Sequence, residues 1–355
     1  MRSSNRRSNM KTCIAFHLLM TAAMASKIRK NLIIDTDIYS DVDDVGALLL
    51  AATSPHVNIL AVNVNYHSTY SALAASAILA YYGHPDIPIG IRQPMFDVSF
   101  LDTISWDKGE FASKIAFHWS GGTLPWDHFE NAWEPVALYR KALAEAPDGS
   151  VTIASLGFLD NLSDLLESTA DTYSDLDGRA LIARKVCELV IMGGAYPSGH
   201  EFNFWNSTNN SAAHVVNTWR GRMVFLGNEV GENVKSGEKL MIEGPRDDPT
   251  RMAYIYYTYY EPRPSWDPLT MLYAINGLGN LFRFGNKIGY NHVERNGSNK
   301  WVWDATVENQ FFLELAVDEE TAAAELDRLF LQGALSVTQQ GIMNQLSDYS
   351  LNQMT

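Results

Sequence analysis

The 355 residues are 46% hydrophobic and 19% charged, enough apolar material for a large core, and this excludes disorder as the main state. Asp and Glu number 41 against 27 Lys and Arg, a formal charge of −14 with no basic stripe, so no nucleic-acid partner is expected. The two cysteines, Cys13 and Cys187, show no metal-ligand spacing, which sets aside a disulfide framework, zinc and thiol redox chemistry.

Arg2, Arg6 and Arg7 precede an apolar stretch that begins near Met10 and ends on the small-x-small triplet Ala23-Met24-Ala25. This pattern predicts a secretory signal over residues 1–25, too short to span a bilayer, followed by a single domain over 26–355. An ordinary N-terminal helix is the alternative. Export to the extracellular space follows from the first reading, and sequons at Asn161, Asn206, Asn209 and Asn296 accord with it.

Beyond the leader, apolar strand-like runs alternate with helix-period segments. NLIID (31–35), DDVGALLLAAT (43–53), VNILAVNVNY (57–66), SALAASAILAYYG (71–83) and DIPIGI (86–91) come first. VTIASLG (151–157), DNLSDLLES (160–168), KVCELVIMGG (185–194), SAAHVVNTW (211–219) and RMVFLG (222–227) resume the pattern. Continuous apolar strands between helices predict a doubly wound α/β fold, an open, mostly parallel sheet with helices on both faces. Residues 96–135, with Trp106, Trp119, Trp126 and Trp133, interrupt it and are expected to form a long loop near the active face. From about 250 onward the signal is mainly helical and includes the aromatic run YIYYTYY (254–260).

In such sheets ligands sit at the carboxyl ends of the strands. Those positions carry Asp35, Asp37, Asp41, Asp43 and Asp44, then Asn63 and Asn65, Asp160 and Asn161, Glu201 and Asn203, and Asn228 and Glu229. The rim is rich in oxygen and contains no cationic phosphate clamp, which suits a hard cation and an uncharged, polyhydroxylated ligand. Five carboxylates within ten residues repel one another unless a cation neutralises them. An all-oxygen donor set with room for ligand hydroxyls points to calcium first, although Tyr39 and Ser40 break the EF-hand pattern. The bland reading is a solvated acidic loop beside the helix at 43, whose dipole welcomes Asp43 and Asp44. Asp267, before Pro268, reads equally as the N-cap of a later helix.

Taken together these residues resemble the inosine-uridine preferring nucleoside hydrolase family, from about residue 31 to at least 275. Asp35-Thr-Asp37 and Asp43-Asp44-Val-Gly-Ala47 are similar to its Asp-x-Asp and Asp-Asp-Ala signature, with two extra residues between the parts. Those extra residues leave open whether Asp41 or Asp43 takes the first helix-cap role. Leu156-Gly-Phe-Leu-Asp160-Asn161 resembles the Leu-Gly-Pro-Leu-Thr-Asn turn, Met192-Gly-Gly194 with Glu201-Phe-Asn203 the ribose-binding pair, and Trp266-Asp267-Pro268-Leu269 the C-terminal motif.

The resemblance implies calcium held by Asp37, Asp44, Asp267 and the main-chain carbonyl of Asp160, with Asp37 as general base toward a water. It implies that Asp43, Asn65, Met192, Glu201 and Asn203 hold the sugar, and that the transition state is oxocarbenium-like. Trp266 stands where nonspecific members carry a His acid. Purine-specific members carry Trp there and sandwich the base between two indoles, so Trp266 and Trp119 are the expected pair, with His118 an alternative acid. The expected function is calcium-dependent hydrolysis of ribonucleosides with a purine preference, by a homo-oligomer (dimer or tetramer) without a membrane partner. Two rivals stay open. One is an exported calcium- or nucleoside-binding protein without turnover; the other is a haloacid-dehalogenase-type phosphatase with Asp35 as nucleophile.

Overall fold

The strand Lys30–Thr36 (β1) carries Leu32, Ile33 and Ile34 in a row, and all three are fully buried. Alternate side chains of a strand point to opposite faces, and here Leu32 and Ile34 enter one hydrophobic core while Ile33 enters a second. A strand apolar on both faces must be covered on both, which is why the run is continuous rather than alternating. The computed structural model describes residues 29–39, 41–95 and 108–352. The predicted secretory signal over 1–25 and Trp106 lie outside the described residues.

Seven further strands complete the central sheet: Val57–Val64 (β2), Ile89–Ile91 (β3), Val151–Ser155 (β4), Val186–Met192 (β5), Met223–Leu226 (β6), Phe282–Phe284 (β7) and Gln310–Leu315 (β8). Their order is β7-β8-β6-β5-β4-β1-β2-β3, with every pairing parallel except β7 with β8. The chain winds from β1 outward through β2 and β3, then returns to the other side of β1 as β4. That reversal leaves a crevice between the carboxyl ends of β1 and β4, the place where open α/β sheets bind ligands. Register puts Asp35 level with Asn63 on one side and Ser155 on the other.

One face is covered by Asp43–Thr53 (α1), Thr69–Tyr81 (α2) and Ala112–His118 (α3), and by three helices from the C-terminal third. The other is covered by Pro135–Glu145 (α4) and Asp160–Glu167 (α5). The C-terminal helices are Pro249–Thr258 (α7) and Trp266–Asn276 (α8), after the single turn Phe202–Trp205 (α6), and finally Glu319–Asn352 (α9). Among the described residues no helix is long and apolar enough to cross a membrane.

Two expectations need correction. The region 96–135 is not one long loop, because α3 forms within it and packs Ile115 and Ala116 into the core. The C-terminal third is not only helical: β7, β8 and an antiparallel sheet of Tyr290–Val293, Ser298–Val302 and Ser198–His200 are built there. These strands are short, three to six residues each, so their periodicity is too brief to stand out against the helical segments.

Candidate active site

The floor of the site is Asp35 at the end of β1. It accepts hydrogen bonds from Asn65 Nδ2 at 2.6 Å, Tyr139 Oη at 2.7 Å and Asn161 Nδ2 at 3.3 Å. Burial pushes its carboxyl up to about 7 against these hydrogen bonds. Fully enclosed and engaged on both oxygens, Asp35 has no path to a substrate, which removes the phosphatase reading with Asp35 as nucleophile. It acts as a knot that ties the loops after β1, β2 and β4 together.

Above that floor three carboxylates converge. Asp37 lies just past β1, Asp44 in the first turn of α1 and Asp267 in the first turn of α8, and one oxygen of each lies within 4.8 Å of the others. All three are buried. The helices α1 and α8 point their N-termini at this spot, so both dipoles favour negative charge there. Thr36 Oγ1 donates to Asp44 Oδ1, whereas Asp44 Oδ2 is buried with no hydrogen-bond partner among the described residues. Asp43 Oδ2 accepts from the backbone N–H of Asp267 at 3.1 Å, joining the two helix starts.

Burial holds Asp44 and Asp267 well above the usual carboxylate range, and repulsion adds to it, first from Asp37 on Asp44 and from Asp43 on Asp267. Asp43 is raised likewise by burial and then by Asp41. Buried like charges this close persist only if protonated or neutralised by a cation. An all-oxygen trio with an unpartnered buried oxygen fits a hard divalent cation. The expectation that Asp267 merely caps a helix fails, because α8 begins one residue before it, with Ser265 at the cap position.

These residues line a cavity of about 260 Å³, sized for one small molecule rather than a polymer. One wall is formed by Leu156, Met192, Glu201, Phe202 and Asn203. Glu201 Oε1 accepts from Asn203 N at 2.7 Å and Oε2 from Gly194 N at 2.9 Å, so its orientation is fixed by the backbone. Burial raises its carboxyl to about 7 despite those N–H groups. Gly194 has φ +77°, and a side chain there would crowd the Phe204 ring and Asn299. Asn203, which lines the cavity, donates its amide Nδ2 to the carbonyls of Leu156 at 2.6 Å and Met192 at 3.2 Å, so its orientation too is fixed by the backbone.

Asn228, Tyr257, Arg263 and Trp266 also line the cavity. Trp266 donates its indole N–H to the Asn228 carbonyl at 2.9 Å and presents its ring to the cavity.

Of the residues singled out from sequence, Asp37, Asp43, Asp44, Met192, Glu201, Asn203, Trp266 and Asp267 meet around this cavity. Asn65 and Trp119 are placed differently. Asn65 does not line it; its amide is spent on Asp35 and on the Phe158 carbonyl at 2.8 Å. Trp119 is a packing aromatic away from the cavity, its indole donating to the Asp247 carbonyl at 2.7 Å, and His118 lies beside it. The Asp160 carboxylate faces Thr208 and Ser211 rather than the trio, which leaves only its main-chain carbonyl for the role expected of it.

Sequence reasoning missed Arg263, Tyr257 and Phe202. Arg263 is invisible to spacing because its partner, Asp41, lies 222 positions earlier. Its presence also corrects the reading of a rim without cations. The Asp41 carboxylate is taken up by that pair, whereas Asp43 stands beside Asp267 within the acidic group.

The sequence matches the family model of the inosine-uridine preferring nucleoside hydrolases over residues 32–327. The chain belongs to this family. No curated protein matches the sequence as a relative. Among solved structures, an inosine-uridine preferring nucleoside hydrolase from Bacillus anthracis is 16% identical, covering 85% of this chain and 99% of its own, with a TM-score of 0.58. A purine-preferring ribonucleoside hydrolase from Gardnerella vaginalis is 15% identical over 87% of this chain and 99% of its own, at a TM-score of 0.62. The type III effector protein XopQ, complexed with adenosine diphosphate ribose, is 14% identical over 90% of this chain and 98% of its own, at 0.64. At these identities the likeness establishes the shared fold. Family membership makes the chain a nucleoside hydrolase-type enzyme whose substrates are small nucleosides.

In this family member Gly157, just after β4, is a sensitive point. A Cβ there would come within 2.5 Å of Asp37 Oδ1 and 2.6 Å of the Asp37 backbone N. Gly157→Ala must therefore displace Asp37. A shift of about 1 Å at a reacting group costs roughly 10²-fold, so the variant is expected to lose about that factor in turnover while keeping its circular dichroism spectrum. Unchanged turnover would show that Asp37 tolerates displacement.

Proposed function

We propose that the protein hydrolyses the N-glycosidic bond of ribonucleosides with a calcium ion as cofactor and with a preference for purines. The observation that carries this reading is the meeting of Asp37, Asp44 and Asp267, from opposite ends of the chain, in a cavity whose wall offers Glu201 and Asn203 as acceptors for hydroxyl groups. When bound by this trio and the Asp160 carbonyl, calcium would grip ribose hydroxyls and a water and make that water more acidic.

Asp37 takes the proton of the attacking water as general base, an assistance typically worth about 10²–10⁴-fold. Glu201, Asn203 and Asp43 hold the sugar by accepting from its hydroxyls, and Met192 packs against it. As the glycosidic bond stretches, positive charge grows on the ribose, and the preorganised acidic lining stabilises it. The base lies against Trp266. The same proposal includes export directed by residues 1–25 and assembly into a dimer or tetramer. N-terminal sequencing of secreted protein and light scattering of purified protein test these two points.

Ribose release from a panel of nucleosides, with and without chelator, tests the reaction. Release from inosine that stops on chelation and returns with calcium supports it. The XopQ neighbour favours one second reading, a protein that binds a ribose-containing ligand without turnover; tight binding with no product identifies that outcome. Trp266→Ala tests the base subsite. Aromatic stacking is worth about 0.5–1.5 kcal/mol beyond buried area, so kcat/KM is expected to fall about tenfold more on inosine than on uridine. An equal loss on both would remove Trp266 as a purine platform.

A further inference from the structure

Arg263 is the one cation lining the cavity among the described residues. It sits between Pro262 and Pro264, whose rings fix φ, and it pairs with Ser236 in a short antiparallel ribbon. Its Nε and Nη2 both reach the Asp41 carboxylate, with Nε at 2.9 Å from Oδ1. The guanidinium carbon lies 5.5 Å from the Tyr257 ring centre and 5.6 Å from that of Trp266. The side chain is thus held by a carboxylate and two aromatic rings, while Nη1 makes no hydrogen bond among the described residues.

Cleaving an N-glycosidic bond leaves the electron pair on a base nitrogen, which needs a proton or a positive partner. Among the described residues no His or Lys lines the cavity, and the Trp266 N–H is already used on Asn228. Burial opposes charge on Arg263, but Asp41 more than offsets this, so the guanidinium keeps its proton. A group of that kind stabilises by fixed charge rather than by proton transfer. With Nε and Nη2 engaged by Asp41, Nη1 is left to donate into the cavity.

We propose that Arg263, fixed by Asp41, Tyr257 and Trp266, is the leaving-group residue of this site, its Nη1 donating a hydrogen bond to the departing nucleobase. The inference rests on the nucleosidase reading given above. The C1′–N bond breaks with its electrons moving to the base, and the water forms the C1′–O bond and gives its proton to Asp37. Solvent protonates the departing base, and Arg263 neither gains nor loses a proton.

Two substrates separate this role from a structural one. Inosine releases a base that departs poorly as an anion, whereas 4-nitrophenyl β-D-ribofuranoside releases a phenolate that needs no such help. Arg263→Gln alone strands Asp41, so the double variant Asp41→Asn/Arg263→Gln, which removes both partners of the pair, is measured beside it with thermal unfolding as a control on folding. Loss of one preorganised donor predicts a fall of about 10²–10³ in kcat/KM on inosine and less than tenfold on the nitrophenyl riboside. Equal loss on the two substrates in the folded double variant overturns the assignment of Arg263 and leaves the nucleosidase reading standing. Wild-type protein that cleaves neither substrate overturns both.

Discussion

Asp37→Ala is expected to abolish ribose release from nucleosides, by at least the 10²–10⁴ that a general base supplies, while the protein stays folded. The carboxylate belongs to the buried trio and also stands next to Leu156 and Glu201 on the cavity wall, so its loss removes a ligand and a base together. Asp37→Asn separates the two roles, because an amide oxygen still coordinates a hard cation but accepts no proton at neutral pH. The asparagine variant should bind calcium, measured by calorimetry, yet turn over as poorly as the alanine variant. Recovery of turnover at saturating calcium would refute the base assignment.

The second large effect is on stability. In chelated protein Asp43, Asp44 and Asp267 have carboxyls raised well above their ordinary value, by burial first and by neighbouring carboxylates next. A raised folded value means that the native state binds these protons more tightly than the unfolded chain does. Their stabilising effect is full below about pH 4 and is lost as pH climbs through the raised values. Asp35 and Glu201, raised to about 7, add to the same slope between pH 4 and 7. Chelated protein should therefore melt at progressively lower temperature from pH 5 to pH 8.

Calcium at a hundredfold excess over its Kd should restore about 2.7 kcal/mol, a rise of at least several degrees that is largest at the alkaline end. Asp44→Asn isolates the acidic trio from Asp35 and Glu201: it should raise the melting temperature of chelated protein and shrink the calcium shift. Identical melting curves at pH 8 with and without calcium would end the case for a cation site.

The fold was legible because its signal is local and repeated. Strands β1, β2, β4 and β5 are apolar runs alternating with helix-period segments, and Asp37 and Met192 fall at the ends of two of them. What escaped the sequence depends on direction rather than identity. Asn65 and Asn203 look alike after their strands, but one is turned down onto Asp35 and the other up into the cavity. Trp119 and Trp266 are both indoles in plausible places, and only the partners that folding gives them, the Asp247 carbonyl for one and the Asn228 carbonyl for the other, tell them apart. Arg263 was hidden for another reason: a cation flanked by prolines gains meaning only from a carboxylate that folding brings to it.

The hydrogen bond from the Asp267 backbone to Asp43 bridges 224 positions of sequence. Two members of the acidic trio, Asp37 and Asp44, therefore emerge early in synthesis and the third, Asp267, late, and a nascent chain shorter than α8 lacks the full set of carboxylates. A cation held by the proposed site would bind only after α8 is in place and would then close a very long loop. Chelators should accordingly accelerate unfolding kinetics as well as lower the equilibrium midpoint, and the proposed cation site would then act as a latch on the lifetime of the native state.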